Sequence, residues 1–354
     1  MQVVGITNHG TEGSPLGQEY LLTDSDHLIS AAAGNSGHSS GPTSSSSLAG
    51  PASTLVGSST GLEINLIWDS SVRSSSNWSA IEAAVVAAAK IYTQAFSDHV
   101  VLNIAVGFGE IAGSALSSNA LGESESYGYI TNYSTVANAM KTADGGLVSD
   151  SLMSSNALSV DGPPTGANFF VTSAEAKALG LISGTSTGID GYIGLTSSSS
   201  LLYFSANGGT IGKTQYDAVG VVAHEISEVM GRIGLQGETL GSYKDVYTPL
   251  DLFRYEAPNV RDLTPTSGYF STTDGVGGAT NLNSYNNPQN GGDADDWASA
   301  GATDAVLNDS YDAFGTPGVI THVSATDLLE DAALGYTLTP TGLAEITGKT
   351  SIVA

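Results

Sequence analysis

The sequence predicts an α+β fold in which a twisted mixed sheet is backed by a long helix and followed by a loop-rich C-terminal part. Three observations carry this expectation. Leu62, Ile64, Leu66 and Trp68 alternate with Glu63, Asn65, Ile67 and Asp69, the period of a strand with one wetter face. An alanine-rich, proline-free run over 79–96 has helical spacing, and residues 100–108 alternate again, so strand, long helix and strand form one crossover unit. From Gly234 to Pro317 the chain is dominated by Gly, Asn, Asp and Pro, the composition of turns and loops.

Along the chain, residues 1–60 read as a Ser/Gly-rich arm or linker, because a stretch such as SGHSSGPTSSSSLAGPASTLVGSS buries little apolar surface. The first helix is expected to open at a capping box, Ser79-Ala80-Ile81-Glu82. The next stretch, GFGEIAGSALSSNALGESES (107–126), reads as an ordered loop. Short helices are expected over 133–142 and 173–179, with short strands over 169–171 and 191–195. A proline-free helix spans 215–234 (QYDAVGVVAHEISEVMGRIG). The last helix, 324–334, starts at a good cap, Ser324. The expected divisions are an arm (1–60), a main domain (61–336) split at 234, and a tail (337–354).

At 354 residues and 40% hydrophobic content the chain can bury a sizeable core. With 35 acidic against 10 basic residues the net charge is −25, which excludes a nucleic-acid or anionic-membrane partner. No run of about 20 apolar residues is present, so no membrane span is expected. Cysteine is absent and Gly, Ser, Ala and Thr abound, a composition that points to a secreted chain or one on a bacterial cell surface. The start, MQVVGITNHG, lacks the basic-then-apolar layout of a signal peptide.

The chemistry concentrates in the 215–234 helix. His224 and Glu228 stand four residues apart, hence on one helix face, and Glu225 lies beside them. An imidazole and a carboxylate can share a metal ion, and a further carboxylate can take a proton from metal-bound water. Two ligands do not hold a catalytic zinc, so a third must come from elsewhere; Asp251 and His322 are the leading candidates, ahead of Glu238 and Asp245. Asp293, Asp295 and Asp296 offer oxygens at near-alternate positions, as calcium loops do.

HEISEVMGRIG resembles the metzincin form of the zinc-metallopeptidase signature. His224 matches the first ligand, Glu225 the general base and Gly231 the turn glycine. Glu228 stands where that family has its second histidine, and Gly234 where it has its third. The segment Asp251-Leu252-Phe253-Arg254-Tyr255 is similar to the turn beneath the metal, with Phe253 in place of a methionine and Tyr255 in place of the tyrosine that approaches the metal. HEISEVMGRI, PLDLFRYEAP, GGDADDW and SATDLLEDAALGY together resemble a bacterial family of exported metallopeptidases with glutamate in place of the second histidine. That resemblance implies a metzincin-like catalytic domain with Zn2+ as cofactor and a peptide or protein substrate. Glu225 and Tyr255 would be the catalytic residues. The rival expectation is a surface or filament-forming structural protein that reuses such a domain and self-associates through its N-terminal arm. A third is an acidic Ca2+-binding adhesion module.

Overall fold

The computed structural model describes Leu16 and residues 19–23, 27–29, 50–117, 120–143, 163, 166–206, 209–258, 260–273, 281–298 and 308–348. Alternation and helical periodicity place most of its elements. In chain order they are β1 (Glu19–Thr23), β2 (His27–Ile29), β3 (Ser53–Gly57), β4 (Glu63–Trp68), α1 (Ser70–Arg73), α2 (Trp78–Ala95), β5 (Val101–Phe108) and β6 (Gly122–Asn132). There follow α3 (Tyr133–Ala143), β7 (Asn168–Thr172), α4 (Ser173–Ala178), β8 (Gly191–Leu195), α5 (Ala218–Met230), β9 (Glu238–Leu240), β10 (Tyr243–Tyr247), α6 (Ala325–Ala333) and α7 (Pro340–Gly348). This is a mixed α+β architecture built on one large mixed sheet.

Ile64, Leu66 and Trp68 turn one face of β4 inward, as the alternation requires, and β4 and β5 pair in parallel across α2. β8 continues in parallel on β5, and β3 closes the far edge antiparallel to β4. Ser53–Gly57, which falls inside the expected N-terminal arm, is therefore a sheet strand. The buried stripe of α2 includes Ile81, Val85, Ala88 and Tyr92, as its spacing predicts. The helix starts one residue earlier than the expected capping box, at Trp78, with Asn77 as a cap that makes no side-chain bond. Trp78 packs edge-on against Trp68 at 5.3 Å, and this contact fixes where the helix begins.

The largest departure is β6. Its first five residues, Gly-Glu-Ser-Glu-Ser, lie in the stretch expected to be a loop, yet they open an 11-residue strand. The segment has no aliphatic alternation because Ser124 and Ser126 face α5, where small hydroxyl side chains let helix and sheet approach and hydrogen-bond to Glu228.

Pairing around β6 fixes its place. Glu125 and Ser126 pair with both β1 and β8, whereas Gly128 and Tyr129 pair with both β1 and β7. A strand has only two edges, so β7 and β8 lie end to end along one edge of β6 and β1 runs along the other. β1 turns back into β2 as an antiparallel pair. Beyond β7 the sheet continues through β10, parallel to it, and β9.

The loop-rich region contains a small antiparallel sheet of Val260–Arg261, Arg254–Ala257, Tyr269–Phe270 and Asn283–Ser284. α6 starts at Ser324 with a full capping box to Asp327, as expected. α7 lies within the expected tail, and Thr339 N and Oγ1 tie its start to the last turn of α2 at Ala95 O and Gln94 O. Among the described residues no helix is long and apolar enough to cross a membrane.

Candidate metal centre

α5 is set by Asp217, which caps its first turn by accepting from Val219 N at 3.2 Å, and by Gly231, whose φ of 122° ends it in a conformation that disfavours any side chain. Its apolar block is buried against the sheet and α2, and Tyr92 Oη donates to the Ala223 carbonyl at 2.5 Å. The polar residues at its C-terminal end are thereby held at the edge of the core.

His224 Nε2 lies 3.2 Å from Glu228 Oε1 and 3.3 Å from Asp296 Oδ1. One ligand atom from each of the three lies within 4.8 Å of the other two, and this is the only His/Cys/Asp/Glu group able to hold a metal ion among the described residues. The other ring nitrogen, Nδ1, is 2.9 Å from the Ser310 carbonyl, which fixes the ring and aims Nε2 at the carboxylates. Ser124 Oγ donates to Glu228 Oε2 at 2.8 Å. Two of the three donors are thus oriented by a further group, and the mixture of one imidazole and two carboxylates suits a divalent cation.

A fourth charge meets them. Arg232, fully buried, donates from Nη1 to Asp296 Oδ1 at 2.8 Å and to the Asp295 carbonyl at 3.3 Å. Its Nη2 stands 3.6 Å from Glu228 Oε1, its Nε donates to Ser227 Oγ at 2.7 Å, and its guanidinium lies 4.2 Å over the Tyr311 ring.

The electrostatics follow. Burial disfavours charge on His224, but Asp296 and Glu228 outweigh it and hold the ring protonated well above the usual imidazole range. Burial also works against charge on Glu228 and Asp296, yet His224 and Arg232 keep both below the ordinary carboxylate range. Glu225 goes the other way: burial first, then the Glu228 charge and a hydrogen bond to it, push its carboxyl well up. Glu225 Oε2 is buried with no hydrogen-bond partner among the described residues. A Cβ at Gly122 would run into Glu225 Oε1 and Val221, so the glycine that opens β6 makes room for this carboxyl.

The structure therefore brings His224, Glu225 and Glu228 together with Asp296. Asp296 was singled out in the sequence only for calcium; Asp295 instead accepts from Gly234 N at 2.8 Å, and the 293/295/296 aspartates do not form a metal-holding group of their own. Asp251 stands apart from the centre: it is fully buried, and its Oδ2 accepts from the amides of Thr248 (2.8 Å), Leu235 (3.2 Å) and Gln236 (3.1 Å) to pin the turn after α5. His322 contributes through its backbone, which pairs with Asn308 and Ser310 and so places the carbonyl that anchors His224. Tyr255 is buried in the small sheet, its ring stacked on Tyr269 at 6.1 Å. Arg232 had a sequence signal that spacing alone could have raised: it follows Glu228 by four residues in a chain with only 10 Lys and Arg.

No family model, curated protein or solved structure matches the chain.

Proposed function

We propose that the chain is a zinc-dependent metallopeptidase whose metal is held by His224, Glu228 and Asp296. The observation that carries this reading is the convergence of the three donors, from α5 and from the loop carrying Asp296, with Glu225 alongside. A bound zinc would supply Lewis-acid polarisation of the peptide carbonyl and a more acidic water. The chain's own residues do the rest. Ser310 and Ser124 orient two of the donors, and Glu225, ionised once a bound cation offsets its burial and the Glu228 charge, would accept a proton and return it to the leaving amine. The expectation of a secreted or bacterial-surface location belongs to the same proposal.

Metal analysis of protein purified without added metal tests it. About one zinc per chain is expected, lost in His224→Ala and Asp296→Ala and kept in Asp251→Asn and His322→Gln. Glu225→Gln is expected to retain the metal while hydrolysis of an unstructured protein substrate falls by about 10²–10⁴-fold.

Arg232 favours a second reading. Two basic and two acidic side chains already balance one another here, so the centre can stand as a metal-free charge cluster inside a structural protein. Folded protein with no zinc in any variant would select that reading and sink the first.

A further inference from the structure

β1 lies where an added strand would lie. It runs antiparallel along the outer edge of β6, from Glu19 opposite Tyr129 to Thr23 opposite Glu125. Beyond this register lie Gly122 to Ser124, of which Gly122 abuts Glu225 and Ser124 bonds the Glu228 carboxylate. β1 therefore points along the edge toward the metal-holding side chains.

The side chains of β1 are seated as well as its backbone. Tyr20 and Leu22, at alternate positions and so on one face, are 4% and 5% exposed. They enter an apolar slot separate from the main core, walled by Phe170 of β7, Leu235 of the turn after α5, and Leu240 and Val246 of the β9–β10 pair. Tyr20 Oη donates to Tyr243 Oη at 3.1 Å, with the two rings edge to face at 5.8 Å. All walls of the slot belong to the body of the fold. The chain that joins β2 to β3 is rich in Ser and Gly in sequence.

The geometry points to a strand-addition site: the outer edge of β6 and its apolar slot bind an extended peptide with an aromatic and an aliphatic side chain at alternate positions, and the N-terminal arm is the tethered occupant. Main-chain pairing supplies affinity and the slot supplies selectivity. Where the peptidase reading holds, this is a substrate-binding edge that β1 keeps filled until it is displaced or cut. The binding itself does not depend on that reading.

The test uses the full-length chain with Tyr20→Asp and Leu22→Asp, which removes the arm from the slot while leaving the walls intact. The probe is a fluorescent peptide of residues 18–25 (QEYLLTDS), followed by anisotropy in EDTA so that metal plays no part. Binding to the double variant is expected to be at least about tenfold tighter than to the unaltered chain, whose arm competes at high effective concentration. A peptide with Asp at both positions is expected not to bind. A folded double variant that ignores the peptide, or equal binding to both chains, overturns the inference. Should the variant misfold, a protease site placed within residues 36–40 of the unaltered sequence gives a second measurement. The cut arm is expected to co-elute with the body and to be displaced by excess peptide; spontaneous loss of the arm overturns the inference. Peptide binding without zinc would retain this site and remove only the peptidase.

Discussion

Arg232→Met is expected to destabilise the protein by about 3–5 kcal/mol, the usual cost of removing one partner from a buried charge pair. The reason is the company the guanidinium keeps. It bonds Asp296 at 2.8 Å, sits 3.6 Å from Glu228 and is itself fully buried. Without it, two carboxylates held below the normal acid range face one imidazole. Methionine fills much of the volume and still packs on Tyr311, so the loss reports charge rather than a cavity. In a chain of this size the melting temperature is expected to fall by about 4–7 °C. Added zinc should restore more of that loss in the variant than in the unaltered chain, because the ion then replaces the missing cation. Calorimetry with and without zinc measures both effects. An unchanged melting temperature would mean that the cluster does not depend on the guanidinium.

Stability is expected to fall as pH rises from about 5 to 8, opposite to the behaviour of a protein built on exposed ion pairs. Beneath the centre lies a set of buried acids on α6. Burial pushes the Asp331 carboxyl up to about 8, although the Tyr311 hydroxyl donates to it at 3.1 Å and favours the charged form. Glu330 is likewise raised by burial, with the Tyr285 hydroxyl donating at 2.6 Å. On the sheet, Glu125 is pushed up to about 7 by burial and by the charges of Glu123 and Glu110. These folded-state values lie above the unfolded ones, so the native state holds protons that the unfolded chain has released. Their contribution is complete below about pH 4 and drains away as pH climbs through 7 and 8. For Asp331 acting alone the span corresponds to on the order of 5 kcal/mol. Glu228 and Asp296 act in the other sense, since their values are lowered and their contribution disappears in strong acid. Melting temperatures between pH 4 and 9 should peak on the acid side, and Asp331→Asn should flatten the decline. A melting temperature that climbs from pH 5 to 8 would refute this account.

Local pattern made part of this molecule legible. α2 and α5 follow from spacing, α6 from spacing and its Ser324 cap, and β4 and β5 from alternation, because in each the apolar period decides which face is buried. β6 was illegible for the opposite reason: its inward residues next to α5 are serines, chosen for close approach and for hydrogen bonds to Glu228. The site divided in the same way. His224, Glu225 and Glu228 share one helix, so their proximity is a matter of counting. Asp296 and the Ser310 carbonyl reach them only through tertiary folding of an Asp- and Gly-rich region with no period of its own. Asp251 attracted attention as a ligand type, yet three backbone amides in a tight turn are what its carboxylate satisfies. Arg232 could have been weighed from its spacing to Glu228, but nothing local indicates that its charge is turned inward.

The anchoring of His224 by the Ser310 carbonyl also has a bearing on how the protein is made. A ribosome delivers α5 with His224, Glu225 and Glu228 well before it delivers Asp296, and Ser310 later still. Domains of this kind begin to fold from the N-terminal side during synthesis. The sheet and α5 can form while the third donor and the ring anchor are still inside the ribosome. The centre is therefore completed late, and a nascent chain carries its α5 donors before the partners that finish their cluster.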